Sequence, residues 1–372
     1  MRAAPPRTPT HLRTHPARSD ARVKQAVSQE LLRLSSRLQK SPSSDTTMLD
    51  RALAPVKDEL QAVTDRMLSQ LTDPVARTVV YLITAGGKRL RPALALLAGA
   101  SGRSPSVSRS CEGLIDAATA VELIHTATLI HDDIIDRSTL RRSQPTFHHR
   151  WGTERAILMG DYLYATAFTL LARLKAPYVM RVMADVCQQL CRGELLEVEA
   201  RYRLDLTEQE YFNIIEDKTA SLIGACCQAG AYLGGCAPDT VKRLTEFGIK
   251  FGLAFQIIDD CLDLIGDHRA LGKSIHSDLD KGALSLPMIY LTQTMAPNAR
   301  DRLFAPLRRH ATDPAFLTRI AKAAHASGAI LKAQERAREL MRMALVGLTH
   351  LPVNGLLETY QLLAEYAISR KR

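Results

Sequence analysis

Leu129-Ile130-His131-Asp132-Asp133-Ile134-Ile135-Asp136 and Phe255-Gln256-Ile257-Ile258-Asp259-Asp260-Cys261-Leu262-Asp263 are two versions of one pattern, Asp-Asp-x-x-Asp set among apolar residues. Neither contains Gly or Pro, and both lie in runs of helix formers, so each reads as helix. On a helix, residues four apart lie roughly 40° apart and neighbours about 100° apart. Each stretch therefore presents two carboxylates one turn apart on one face, with a third beside them. Carboxylates this close repel one another and are costly to desolvate unless cations sit between them. Hard divalent ions with oxygen ligands suit such a site, Mg²⁺ above all when a phosphate supplies further oxygens. A solvated acidic face is the bland alternative. At average Asp usage about 0.05 such motifs arise by chance in a chain this long, and two copies about once in a thousand chains. Acid embedded in apolar helix, twice, is read here as a metal site.

The rest of the composition agrees with an all-α body. Of 372 residues, 46% are hydrophobic and only 5% aromatic, and Ala and Leu prevail over strand formers. No run of 18 or more wholly apolar residues marks a membrane span. Seven cysteines (111, 187, 191, 226, 227, 236 and 261) lie without paired spacing, as expected of buried thiols in a reducing compartment. Cys187 and Cys191 have no Cys/His set nearby to make zinc ligands of them. The net charge is +10, but residues 1–47 carry nine Lys/Arg against three Asp/Glu, or +6 of it. The aromatic residues that single-strand binders interleave with basic ones are missing, so no nucleic-acid partner is expected.

Residues 1–47, rich in Pro, Arg, Ser, Thr and His, read as a disordered basic extension. An Arg- and Ser-rich, acid-poor leader also resembles a mitochondrial transit peptide, so a cytoplasmic location is expected with a mitochondrial one as the alternative. Residues 48–372 read as one all-α domain, a helical bundle around a central cavity. Apolar residues at Leu53, Val56, Leu60, Val63, Met67 and Leu71 predict an amphipathic helix over 49–84. Gly86-Gly87-Lys88-Arg89-Leu90-Arg91-Pro92 breaks and restarts helix, leaving Lys88 and Arg91 able to grip a phosphate. A long helix over 111–136 carries His125, His131 and the first acidic stretch, and Arg141-Arg142 follow closely enough to fold back over it. Guanidinium suits phosphate because its planar fork makes paired charge-assisted bonds. Gly160-Asp161 is read as opening a helix to about 174, with further helices over 177–200, 208–235, 239–266 and much of 297–372. No alternating strand pattern of any length appears.

Two metal-binding faces, several cationic groups and an apolar interior imply an apolar substrate that bears a diphosphate. Metal ions and Lys/Arg would stabilise the charge that builds on a departing diphosphate. An apolar cavity would shelter the cation left behind. Gly-Gly-Lys-Arg-Leu-Arg-Pro, His-Asp-Asp-Ile-Ile-Asp, Arg-Arg-x-x-Pro-Thr, Gly-Asp-Tyr-Leu, Lys-Thr-Ala and Phe-Gln-Ile-Ile-Asp-Asp-x-Leu-Asp follow one another in that order. From about residue 50 onward the chain resembles the trans-isoprenyl (polyprenyl) diphosphate synthases, and among them the long-chain, octaprenyl- and solanesyl-like enzymes. That resemblance implies an isoprenoid synthase-type all-α fold, a homodimer and several Mg²⁺ ions. It also implies a prenyltransferase that elongates an allylic diphosphate with isopentenyl diphosphate in 1'-4 trans condensations.

By position in those motifs, the resemblance makes Asp132, Asp133, Asp136, Asp259, Asp260 and Asp263 the Mg²⁺ ligands. Arg141, Lys218 and Lys273 would contact the allylic diphosphate. Lys88, Arg91, His125 and Arg142 would hold isopentenyl diphosphate, and Thr219 and Gln256 would stabilise the carbocation. Positions four and five before the first Asp, Thr128 and Ala127, line the floor of the product cavity in this family. Both are small here, which favours products of C30 or longer, of the kind that become quinone side chains. Ile124, Val121 or Phe168 could set another floor, so a geranylgeranyl or farnesyl length stays open. The sequence departs from the family at Ala283, where a Lys is usual, at His276 and at Phe147-His148-His149. Competing readings are a terpene cyclase or head-to-head synthase, which has no need of the Gly-Gly-Lys-x-x-Arg grip, and a non-catalytic subunit of a heteromeric synthase. A weak membrane-surface association, without an anchor, would suit a long apolar product.

Overall fold

The structure is a computed structural model that describes residues 44–73, 76–84, 86–102, 112–142, 144–265, 279, 281–309, 313–349 and 355–370. The chain divides after Ser43, and all described residues lie in the second part. Helix α1 begins at Ser44, so the last four residues assigned from sequence to the basic extension belong to the helical body. The rest of that extension lies outside the described residues.

The single helix expected over 49–84 is instead a series of short ones. Helix α1 (Ser44–Leu53) passes through a 3₁₀ turn at Ala54–Val56 into α2 (Lys57–Gln70), and a second 3₁₀ turn at Ala76–Val79 leads into α3 (Val80–Thr84). Pro55 explains the first break, because it has no N–H to give and its ring clashes with the preceding turn. Helix α4 (Leu90–Ser101) follows the Gly-Gly loop, and α5 (Glu112–Ile135) carries the first acidic stretch. A two-residue antiparallel ladder, β1 (Leu140–Arg141) with β2 (Gln144–Pro145), turns the chain back over the end of α5.

Helices α6 (Phe147–Trp151), α7 (Thr153–Arg173) and α8 (Pro177–Ala200) come next. The helix expected to open at Gly160 runs from Thr153 straight through it. The glycine is there for contact rather than for a turn, since a Cβ at 160 would sit 2.1 Å from His131 Nε2. Phe147 is a core side chain, 2% exposed, with its ring centroid 4.6 Å from that of Trp151.

Helix α9 (Glu208–Ile215) starts at a capping box in which Thr207 and Glu210 exchange bonds, an arrangement that stabilises a helix start by about 1 kcal/mol. It continues through a π-helical turn, Glu216–Ala220, into α10 (Ser221–Leu233). Helix α11 (Pro238–Ile265) carries the second acidic stretch. Beyond it lie α12 (Leu286–Thr294), α13 (Pro297–Leu303), α14 (Ala305–Arg308), α15 (Pro314–Ala326), α16 (Ala329–Val346) and α17 (Leu357–Ser369).

The two acid-bearing helices are the middle of the bundle. Helix α5 packs on α7, α4 and α2, while α11 packs on α10, α16 and α17; α10, buried almost throughout, joins the two groups through α4 and α5. By length and composition α5 could cross a membrane, yet 67% of its most apolar window is buried inside the protein and it bears Glu122, Asp132 and Asp133. It is the core helix of this bundle. Phe247 of α11 packs against Phe251 on its own helix and meets Tyr360 of α17 edge to face at 5.0 Å. Each such buried ring contributes about 2 kcal/mol, and together they fasten the C-terminal helix beside the second acidic stretch. Among the described residues the cysteines are free thiols.

Candidate active site

A cavity of about 1320 Å³ opens between α5 and α11, and Asp132, Asp133, Asp136, Asp259 and Asp260 all line it. Lys88, Arg91, His125, Arg141, Arg142, Lys218, Thr219 and Gln256 line the same cavity. Residues from distant parts of the chain are thus gathered on one surface. Asp263 is half-buried and stands off that lining, and Lys273 and His276 lie outside the described residues.

The first stretch sits among cations. Arg141 Nε donates to both oxygens of Asp133, at 2.9 and 3.0 Å, and its Nη2 lies 2.8 Å from Oδ1. This fork-to-carboxylate pair offsets the burial of Asp133, which is 2% exposed. Asp136 takes a bond from Arg201 Nη2 on Oδ1 (2.9 Å) and one from Lys281 Nζ on Oδ2 (3.0 Å). Burial pushes the Asp132 carboxyl up to about 7; Lys218 pulls against that shift and Glu194 adds to it.

Lys218 reaches this face from the π-helical turn. A Cβ at Gly193 of α8 would sit 2.5 Å from Lys218 N, so glycine there lets the turn lie directly on α8. Lys218 Nζ is 2.7 Å from Glu194 Oε2 and also binds Glu197. Burial alone would lower its affinity for the proton, but Glu197, Glu194 and Asp132 together raise it, and it stays charged. Glu194 Oε1 is buried without a hydrogen-bond partner.

At the second stretch, Asp260 accepts from two neutral donors among the described residues. Tyr211 Oη, on α9, donates to Asp260 Oδ2 at 2.6 Å, and Gln256 Nε2 donates to Asp260 Oδ1 at 2.8 Å. Thr219 Oγ1 donates to Gln256 Oε1 at 2.9 Å. The hydroxyl proton of Thr219 is thereby committed, and its lone pairs are left for the cavity. Asp259 meets a cation from the far end of the chain: Arg370 Nη2 lies 3.0 Å from its Oδ1 and donates to Phe255 O at 2.6 Å. The Arg370 guanidinium stacks 3.5 Å over the Phe255 ring.

A third corner is almost wholly cationic. Arg91 Nη1 stands 3.1 Å from His125 Nε2. Guanidinium cannot accept, so Nε2 accepts and the ring proton belongs on Nδ1. Burial, and then Arg91 and its fellow arginines, hold His125 well below the usual histidine range, so it is neutral. Arg142 donates to Gly86 O, Arg89 pairs with the buried Glu122, and Lys88 lies 5.3 Å over the Tyr366 ring of α17. Away from the charges the lining turns apolar, with Leu129, Leu190, Leu206, Ile214 and Ile215. Thr128 lines the cavity, but Ala127, Ile124 and Val121 are fully buried in the core, and Phe168 packs on that core without reaching the lining. Tyr164, one turn before Phe168, does reach it. Glu194, Glu197, Arg201, Tyr211, Lys281 and Arg370 belong to the site but were not among the residues expected from sequence. Only Glu194 and Glu197, one turn apart on α8 beside a small residue, carried a signal that pattern reading could have used.

The donor set suits a hard cation: all oxygen, with a desolvated Asp132 that binding of a cation would relieve. Among the described residues, no three acidic, His or Cys groups close tightly enough to chelate an ion unaided. Mg²⁺ commonly takes one or two carboxylates and completes its shell with water and substrate phosphate, which is what this geometry allows.

The chain is similar to several known proteins. The short chain isoprenyl diphosphate synthase of Methanothermobacter thermautotrophicus is 35% identical over 315 residues, which is 82% of this chain and 95% of that one. The octaprenyl diphosphate synthase of Escherichia coli is 32% identical over 321 residues, covering 84% and 96%. The crystal structure of a polyprenyl synthase from Caulobacter crescentus, complexed with calcium and isoprenyl diphosphate, superposes with a TM-score of 0.82 at 30% identity, over 90% of this chain and all of that one. Residues 72–324 match the polyprenyl synthetase family, and with the fold and relatives in agreement the chain belongs to that family of prenyltransferases.

Proposed function

We propose that the protein condenses an allylic diphosphate with isopentenyl diphosphate repeatedly and delivers a polyprenyl diphosphate of C30 or longer. The observation that carries this reading is the pair of Asp-Asp-x-x-Asp faces meeting across one cavity, with a separate cationic corner at Lys88, Arg91, His125 and Arg142. A chain elongator must hold two diphosphates at once, and the two separate groups of cations on the lining, Arg141 with Lys218 and the corner of Lys88, Arg91 and Arg142, support that reading.

Asp132, Asp136 and Asp259 would hold Mg²⁺, which when bound supplies positive charge to the allylic diphosphate. Lys218 and Arg141 add charge from the protein at the same place, favouring departure of the diphosphate as the allylic C–O bond breaks. The lone pairs of Thr219 and the Gln256 carbonyl face the carbon left electron-poor. Arg91, Lys88 and Arg142, with Nδ1–H of the neutral His125, hold the second diphosphate so that the isopentenyl double bond attacks that carbon. One C–C bond forms, and the proton lost from the adduct passes to the released diphosphate. The apolar wall excludes water that would otherwise trap the cation.

The long product is supported by the small Thr128 on the lining and the large cavity; Tyr164 is the side chain that would oppose it. A homodimer is supported by exposed apolar side chains on neighbouring helices, Leu158 and Tyr162 on α7 and Val198 on α8. Sedimentation of the purified protein at twice the chain mass would match that reading, and a monomer would not.

The deciding experiment incubates the full chain with farnesyl diphosphate, labelled isopentenyl diphosphate and Mg²⁺, and resolves the products by length. A ladder ending at C30 or beyond supports the proposal. A stop at C20 that Tyr164→Ala relieves keeps the reaction and places the floor at Tyr164. Absence of any Mg²⁺-dependent product from folded protein would turn the reading to a non-catalytic subunit.

A further inference from the structure

Lys281 is a cation in the cavity with no part in the scheme above. It stands in a short turn whose ends are both fastened. Gly282 N–H donates to Leu279 O at 3.0 Å, and Tyr202 N–H donates to Gly282 O at 2.7 Å. Gly282 has φ +80°, and a Cβ there would lie 2.5 Å from Tyr202 Cε1, so the turn needs glycine both for its conformation and for the ring beside it. Leu279 and Leu284, 2% and 5% exposed, anchor the flanks in the core. The backbone thus delivers Lys281 to the cavity in a set place, with Ala283 and Ser285 following on the same wall.

The ammonium rests 3.0 Å from Asp136 Oδ2, while Arg201 holds Oδ1. These two cations are not equivalent. Arg201 stands off the cavity lining and braces Asp136 from the side, whereas Lys281 is on the lining. A metal ion arriving at Asp136 must displace positive charge from it, and the flexible ammonium on the open side gives way more readily than a planar guanidinium. Its stem is rooted in the wall, so the freed charge remains in the cavity, beside the anion that arrives with the metal.

Resting on the function proposed above, we infer that Lys281 is a diphosphate-binding residue: counter-ion to Asp136 in the empty site, ligand to the allylic diphosphate in the filled one. Among the described residues of this wall, Ala283, Leu284 and Ser285 bring no charge, and Lys281 is the one that does.

The test uses the full-length protein and two variants, Lys281→Met and Lys281→Met combined with Ala283→Lys. Binding of inorganic diphosphate in the presence of Mg²⁺ is followed by calorimetry, and KM is measured separately for the allylic and isopentenyl substrates. A charge-assisted contact of this kind predicts that Lys281→Met weakens diphosphate binding and raises the allylic KM, each by about tenfold, with the isopentenyl KM unchanged. A lysine at 283 should restore most of both losses, because it returns a cation to the same wall. If Lys281→Met lowers the unfolding temperature yet leaves diphosphate affinity unmoved, Lys281 is a structural counter-ion only and the inference is wrong. Failure of Ala283→Lys to recover any affinity lost in the single variant would overturn it equally. A wild-type protein that binds diphosphate through Lys281 but elongates nothing would sink the proposed function and leave this site standing.

Discussion

The two acidic stretches share one local pattern and live in different surroundings. At the first, Asp133 and Asp136 are matched by Arg141, Arg201 and Lys281, while the half-buried Asp132 has its carboxyl pushed up to about 7 by desolvation. At the second, Asp260 accepts from a phenol and an amide, and Asp259 faces Arg370. The first is an electrostatic arrangement, in which charges neutralise one another and one carboxylate is left at a cost. The second is a directional arrangement, in which hydrogen bonds set the orientation of Asp260, Gln256 and Thr219. The same five-residue signature can therefore be tuned in two ways by what packs around it.

The largest test of that contrast substitutes one residue on each side. Asp132→Asn and Asp260→Asn should each cut the rate of isopentenyl incorporation by on the order of a thousandfold, since both remove charge from the metal-facing wall. Their effects on the ligand-free protein should have opposite signs. Asp132→Asn relieves a desolvated carboxylate and should stabilise the fold at pH 8 by on the order of 2 kcal/mol, after discounting for partial solvent access. Asp260→Asn sets an amide against the amide of Gln256 and should cost about 2 kcal/mol. Urea unfolding of both variants measures the difference, and shifts of the same sign would refute the contrast.

The pH dependence of stability sharpens it further. The folded-state value of Asp132, about 7, lies above the ordinary carboxylate range. The folded protein therefore holds a proton there that the unfolded chain gives up. The stability this provides is present below the ordinary carboxylate range and lost as pH rises through about 7. Metal binding requires the carboxylate, so at limiting Mg²⁺ activity should fall about tenfold per unit as pH drops below about 7. Asp132→Asn should abolish the inflection in stability, and Asp260→Asn should leave it in place.

A smaller effect isolates the directional side. Tyr211→Phe keeps the ring and removes only the donor to Asp260. The turnover number should fall about tenfold, with little change in the KM for isopentenyl diphosphate, whose cationic corner Tyr211 does not touch. An equal rise in that KM would show that the chain from Tyr211 to Thr219 is structural support and nothing more.

The sequence made the helical character, the two acidic faces and most of the cationic groups legible, because each depends on spacing within one helix or one loop. Lys88, Arg91 and His125 could be read from adjacent residues, and so could Arg141. Tyr211, Lys281 and Arg370 could not. They reach Asp260, Asp136 and Asp259 across 49, 145 and 111 residues of chain (260 − 211, 281 − 136 and 370 − 259), and nothing in their own neighbourhoods announces the partner. Helix boundaries failed where packing outweighed local signals: Gly160 reads as a helix start and is in fact a seat for His131. The apolar end was legible only in part: of the two positions the resemblance implies, Thr128 lines the cavity and Ala127 lies in the core, while the packing of α7 brings Tyr164 rather than Phe168 to the lining.

By itself, then, the sequence determined what chemistry the chain can do. Carboxylates at i, i+1 and i+4, a Gly-Gly-Lys-x-x-Arg loop and paired arginines have fixed geometry once the helix forms, and that geometry is local. Tertiary structure alone decided how each carboxylate is charged and oriented. Burial, the approach of Arg201, Lys281 and Arg370, and the hydroxyl of Tyr211 are long-range consequences of how the helices pack, and an interaction that falls off over a few ångströms cannot be read until the chain has brought its partners within that distance.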